Sequence, residues 1–144
     1  MPRIVGSLIL LVSACLLLSG CGTRQAAVPA FKARTFAGVL DVPEPVELSS
    51  DAHVRINLVT ISRSGGQPAV IATQQMTTRG RQFPIPFQIS VDEALIRPDE
   101  RYALLVAVAV GGQLRFIAQP PAPLDASQPQ SNLRILLSPP RALR

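Results

Sequence analysis

Tryptophan is absent from this chain, tyrosine and histidine occur once each, and cysteine occurs twice. One histidine, His53, and two cysteines cannot supply the four ligands of an ordinary zinc site. Cys15 and Cys21 both fall in the opening segment, which reads as a targeting sequence, so a disulfide scaffold is excluded as well. Acids are few, nine in all, and each falls in a loop or at the end of an alternating run. Solvated carboxylates are the default there, so paired acids for glycoside chemistry are not indicated. His53 would have to be the base of any serine triad, but no serine sits in a nucleophile-elbow setting. Phosphate loops are missing too, because Gly65-Gly66 and Gly111-Gly112 precede no helical pattern. No active site is assigned, and the composition points to a binding or structural module rather than an enzyme.

What is present is apolar and alternating. The chain has 144 residues, 47% of them hydrophobic, which is enough for one small core and not two. Thirteen arginines stand against a single lysine, Lys32, but they are scattered without a run, and no nucleic-acid partner is expected.

Residues 1–20 have the plan of a cleavable export signal: Arg3 is the basic start, and Leu8 to Leu18 is an apolar stretch too short to span a bilayer comfortably. Leu18-Ser19-Gly20-Cys21 closes it and resembles the lipobox of bacterial lipoproteins. That resemblance implies diacylglycerol on the Cys21 thiol and an acyl chain on its amine, with no other cofactor. Two or three chains make attachment effectively permanent, since each buried methylene contributes about 0.8 kcal/mol. Gly22 follows the cysteine where an aspartate would retain the protein at the inner membrane, so the expected address is the periplasmic face of the outer membrane. Residues 21–34 have no sustained period and read as a lipidated tether.

Residues 35–138 read as an all-β domain, a small antiparallel β-sandwich of about seven strands, followed by a tail at 139–144. Period-two segments fall at about 35–41, 52–62, 68–77, 83–91, 101–110, 113–119 and 132–138. The phase slips within the second, which predicts a bulge near Leu58 to Thr60. Pro84 and Pro86 cannot donate to a ladder, so the fourth begins on an edge. Gly111-Gly112 predicts a tight hairpin, and Ser64-Gly65-Gly66-Gln67 another. Asp92 to Ile96 is the one candidate helix, a single turn at most before Pro98. The proline-rich stretch 120–129 is expected to be an irregular crossover. The inward sets predict a core of Val54, Ile56, Leu58, Ile85, Phe87, Ile89, Tyr102, Leu104, Val106, Val108, Leu114, Phe116, Ile135 and Leu137. Tyr102, at the start of a strand after a polar turn, is either a tyrosine corner or a plain interface aromatic.

Alternation fails in one strand, and the failure marks a candidate surface. From Arg101 to Val110 one face is Tyr102, Leu104, Val106, Val108 and Val110, yet the other, Ala103, Leu105, Ala107 and Ala109, is apolar as well. The next strand puts Ile117 beside Arg115 on that second face, and the last puts Leu136 beside Arg134. Two readings are open. Either the strip is interior, covered by the tether or the crossover or lying on a central strand buried on both faces, or it receives an apolar partner segment whose acidic groups or terminal carboxylate pair with Arg115 and Arg134.

Taken in order, the lipobox, Phe83-Pro84-Ile85-Pro86-Phe87, Ile96-Arg97-Pro98 before Arg101-Tyr102-Ala103-Leu104, and Gly111-Gly112-Gln113-Leu114-Arg115-Phe116 resemble the YbaY and YscW lipoprotein family. The resemblance covers most of 35–138. It implies a sandwich at the outer membrane that acts as a pilotin-like chaperone, the partners being the membrane through its lipid and a secretin or other envelope protein. A YbaY-like envelope lipoprotein of another role, polysaccharide or cell-wall binding included, is the alternative it leaves open. It says nothing of oligomeric state.

Overall fold

Branched and aromatic residues at every second position favour a pleated, half-buried backbone, and the chain obliges with strands almost throughout. The computed structural model describes residues 30–61 and 67–141. The expected signal segment, Cys21 and the expected hairpin at Ser64-Gly65-Gly66 lie outside them. The strands are β1 (Ala33–Asp41), β2 (His53–Ile61), β3 (Ala69–Thr77), β4 (Ile85–Asp92), β5 (Arg101–Val110), β6 (Gln113–Ile117), β7 (Ala122–Leu124) and β8 (Gln130–Leu136). One sheet has the order β4-β1-β8 and the other β3-β2-β5-β6, with β7 also paired to β5. The fold is an all-β sandwich of a three-stranded and a five-stranded sheet.

Three details depart from the expectation. The crossover is not wholly irregular, because Ala122, Pro123 and Leu124 pair with Leu104, Ala103 and Tyr102 as the extra strand β7. β1 and β8 run parallel, so the smaller sheet is mixed. Leu114 is not in the core: a register shift between Val108 and Ala109 sets it opposite Ala109, on the outer face, 46% exposed. Phe116, opposite Val108, is only partly buried against the core and stands edge-on to Phe83 at 5.7 Å between ring centres.

Elsewhere the inward residues meet as the period requires. Val54, Ile56 and Leu58 of β2, Leu104, Val106 and Val108 of β5, and Ile85, Phe87 and Ile89 of β4 form one buried cluster with Ile135 and Leu137. Phe36 and Leu40 of β1 join them fully buried, although the inward sets read from the sequence did not include them. Each such side chain contributes about 1.5–3 kcal/mol on burial. The β2 bulge lies between Leu58 and Val59 in the pairing with β3. β4 pairs only with β1, which puts Pro86 on an edge strand. The β5–β6 hairpin turns on Gly111 and Gly112, at φ 56° and 78°, the left-handed values that glycine adopts without a Cβ penalty. The single helical turn, Glu93–Leu95, is 3₁₀ and capped by the Asp92 carboxylate, which accepts from the Ala94 amide at 3.0 Å.

Tyr102 is a tyrosine corner. Its hydroxyl accepts from the Arg97 amide at 2.7 Å and donates to the Arg97 carbonyl at 3.3 Å, tying the turn before β5 to the strand.

Candidate functional site

Charge is divided unequally between the two sheets. β2, β3, β5, β6 and β7 contain no aspartate or glutamate, while they carry Arg55, Arg101 and Arg115. The other sheet is balanced, with Arg34 and Arg134 against Asp41 and Asp92.

The strand register lays out the outer face of the five-stranded sheet in rows. Thr73, Asn57 and Leu105 form one. Gln75, Arg55, Ala107 and Ile117 form the next, and Thr77, His53, Ala109 and Leu114 the third. Every row therefore runs from polar on β3 and β2 to apolar on β5 and β6. The polar side is braced across strands by Thr73 donating to Asn57 at 3.0 Å and by a 3.3 Å hydrogen bond between the Thr77 hydroxyl and His53 Nδ1.

Alanines on β5 make this face concave. Ala107 and Ala109 are too short to fill the space between Arg55 and His53 on one bank and Ile117 and Leu114 on the other. The result is a depression of about 470 Å³ over Ala107 and Ala109, and a second of about 230 Å³ over Leu105 and Ala107. The two share Arg55 and Ala107, so they form one groove along β5. Its floor is apolar, one bank is aliphatic, and the sheet carrying it is cationic. Such a groove can hold an apolar segment bearing carboxylates.

Of the five residues singled out in the sequence, two line this groove and three do not. Leu105 and Ile117 are half-buried and line it together. Arg115 is exposed and occupies the extra position of the β6 bulge, so alternation does not decide its side. Leu136, 59% exposed, and Arg134 belong to β8 in the other sheet. They reach the same surface only round a corner, where Ile117 pairs with Ser138 two residues beyond Leu136. Arg134 is already engaged: its Nε donates to Asp41 Oδ2 at 3.1 Å. That bond, seconded by the Val42 amide, holds the Asp41 carboxyl below the usual carboxylate range. As for the open question of the strip, β5 is an interior strand and Ala103 is buried, whereas Leu105, Ala107 and Ala109 are only half-buried.

Alternation alone did not reveal the polar bank of Arg55, Asn57 and His53, because those residues read as an ordinary solvated face until β5 is set beside them. Leu114 was missed for a related reason, since a bulge in so short a strand leaves no mark in the sequence.

A further concavity, of about 600 Å³, lies between the Arg97–Tyr102 turn and the segment that follows Pro123. Two of its arginines, Arg34 and Arg97, are matched by acids, while Arg101 has no acidic partner among the described residues. Arg34 pairs with Glu93 at 3.3 Å and donates to the carbonyls of Ala126 and Ser127 at 2.7 and 3.0 Å, while Arg97 pairs with Glu100 at 3.7 Å. The bonds from Arg34 to Ala126 and Ser127 fasten the crossover to the sandwich. No group of three or more metal-ligating side chains occurs among the described residues.

Comparison with known proteins bears on the whole domain. A family model described as type III secretion system lipoprotein chaperone (YscW) matches residues 32–136. The protein named uncharacterized lipoprotein YbaY, from Escherichia coli (strain K12), is 28% identical over 96 residues, which is 67% of this chain and 50% of that one. The chain thus spans about half the length of that curated relative. An alternative pilotin from the type II secretion system of Vibrio cholerae superposes with a TM-score of 0.66 at 24% identity, covering 74% of this chain and 98% of the other. At that identity the likeness is one of fold.

Proposed function

Because the chain belongs to the YscW family of secretion lipoprotein chaperones, we propose that it is a pilotin-like module that binds an envelope client such as a secretin and carries it to the outer membrane. The observation that carries this reading is the groove along β5, an apolar trough on a sheet with three arginines and no acid. Leu105 and Ile117 would seat the apolar side of a client segment, with Arg55 and Arg115 available to its carboxylates. Leu136 and Arg134 extend the surface round the Ile117–Ser138 corner.

The second working part is the lipid. Acyl chains on Cys21 would hold the domain at the periplasmic face of the outer membrane, and residues 22–32 would let it range over a limited volume. A moderate contact with the client then becomes delivery, since whatever occupies the groove is confined near the membrane at high effective concentration. None of these steps requires bond-making chemistry from the domain itself.

The test is Leu105→Glu together with Ile117→Glu in the full chain, compared with Cys21→Ser. The double groove variant should stay folded and membrane-bound while losing co-purification of its secretin. Cys21→Ser should keep the client and lose the membrane. A groove variant that retains its client would overturn the surface, and membrane association of Cys21→Ser after a carbonate wash would overturn the anchor. The relationship to YbaY supports a second reading, an envelope lipoprotein with another role. Secretin assembly unaffected by deletion of this protein would favour it.

A further inference from the structure

We infer that the groove turns over the end of β3 into a basic corner formed by Arg79 and Arg81, and that this corner receives the carboxylate end of the client segment. The inference rests on the groove reading above and adds the polarity with which the client lies.

At the end of β3 is a concavity of about 850 Å³ lined by His53, Gln75, Thr77, Arg79 and Arg81 among others, with no acid in its wall. It shares His53 and Gln75 with the wider part of the groove, so the two are continuous. The backbone carrying the arginines is unusual. Arg81 donates its amide to the Thr78 carbonyl at 3.0 Å, closing a turn whose central residues, Arg79 and Gly80, lie at φ 52° and 82°. Two left-handed residues in succession suit Asn-Gly or Gly-Gly, and an arginine in the first place is a costly choice.

The turn is also held rigidly. Buried Thr78 donates its amide to Ala52 at 2.9 Å and its hydroxyl to the Ser49 carbonyl at 3.2 Å. The Gln82 side chain accepts from the Leu48 amide at 2.7 Å and donates to the Leu48 carbonyl at 3.0 Å and the Gly80 carbonyl at 3.1 Å. Asp51 of the supporting loop accepts from the Ser49 hydroxyl. Among the described residues no carboxylate pairs with Arg79 or Arg81, a condition they share with Arg55 of the groove, whereas Arg34, Arg97 and Arg134 each have one. A fixed backbone displaying two uncompensated guanidiniums at the mouth of an apolar groove matches a peptide that ends in acidic residues or a terminal carboxylate. Little ordering of the protein is needed to bind it.

The experiment uses the full chain in detergent and glutarate as the probe, read by amide chemical shifts. Glutarate should perturb the amides of Thr77 to Gln82, and Arg79→Asn with Arg81→Gln should weaken that response at least tenfold. Misfolding cannot mimic the result, because asparagine suits the left-handed position and the variant should melt no lower than the parent. Leu105→Glu with Ile117→Glu, which tests the groove, should leave the glutarate response unchanged, so the two ideas fail separately. No response at these amides, a response that survives in the arginine variant, or a stronger response to inorganic phosphate would each overturn the assignment.

Discussion

Ile117 and Ser138 exchange backbone hydrogen bonds in both directions, 2.9 Å each, and this pair joins the five-stranded sheet to the end of β8. Leu137, between Ser138 and the strand, continues the β1 ladder by donating to the Asp41 carbonyl at 2.8 Å and buries its side chain in the core. The two sheets are thereby pinned to each other at one point, beyond the end of β8. The bridge has a functional side, since it sets Ile117 of the groove two residues from Leu136 along the neighbouring chain.

Gly38 is required by the parallel pairing of β1 with β8. A Cβ there would collide with the Leu133 carbonyl, and the register shifts at that point, between Phe36 and Gly38. Backbone cannot move aside as a flexible side chain can. Gly38→Ala should therefore destabilise the domain by about 1–3 kcal/mol, the usual cost of overpacking. Denaturant titration gives the figure, and a midpoint equal to that of the parent would refute the close approach.

Tyr102→Phe isolates the corner bond from the ring. The ring stays buried, but the Arg97 amide loses its acceptor at 2.7 Å. A loss of about 1–3 kcal/mol is expected for a donor left without its partner. Amide exchange at Arg97 should accelerate more than exchange in the middle of β5, which thermal melting alone would not distinguish from a general loss.

The Asp41 carboxyl is depressed first by its hydrogen bond from Arg134 and then by the Val42 amide. A group whose folded-state value is lowered contributes stability above its unfolded value and loses it as pH falls through the folded one. The link between β1 and β8 should thus weaken only in acid, below the ordinary aspartate range. Asp41→Asn should lower the melting temperature at neutral pH and leave it unchanged at the acid end, where the parent carboxyl is protonated too. Parallel curves for parent and variant across the whole range would count against this linkage.

Periodicity made the β2, β4 and β5 core legible, because their inward residues recur strictly at every second position and burial on one face tolerates no slip. The edge position of β4 was legible from Pro84 and Pro86, and the hairpin from Gly111-Gly112. β1 was less so: Phe36 and Leu40 are both fully buried, but Gly38 between them supplies no side chain to complete the pattern. β7 was hidden because Pro123 reads as a break, although an edge residue can lack an amide donor and still pair. The candidate groove was legible as an apolar strip on β5. Its basic corner was not, since nothing in Thr78-Arg79-Gly80-Arg81 reveals a left-handed arginine pinned from a loop thirty residues earlier in the chain.

Leu114 and Leu104 separate core from groove most sharply. Both would be core residues if the hairpin kept strict alternation, yet the β6 bulge turns Leu114 outward beside Ala109 while Leu104 stays buried among β2 and β5 side chains. Leu104→Ala removes buried methylenes and leaves a cavity, so about 2–5 kcal/mol should be lost. Leu114→Ala gives up little burial and opens no enclosed void, and its effect should stay within about 0.5 kcal/mol. Client binding should show the reverse order, because Leu114 forms the aliphatic bank of the groove and Leu104 lies beneath the sheet. Urea midpoints for the two variants, measured beside client co-purification from the full-length protein, test both halves. Equal losses of stability would mean that β6 packs in strict alternation after all, and a Leu114→Ala protein that is stable and still retains its client would remove this bank from the binding surface.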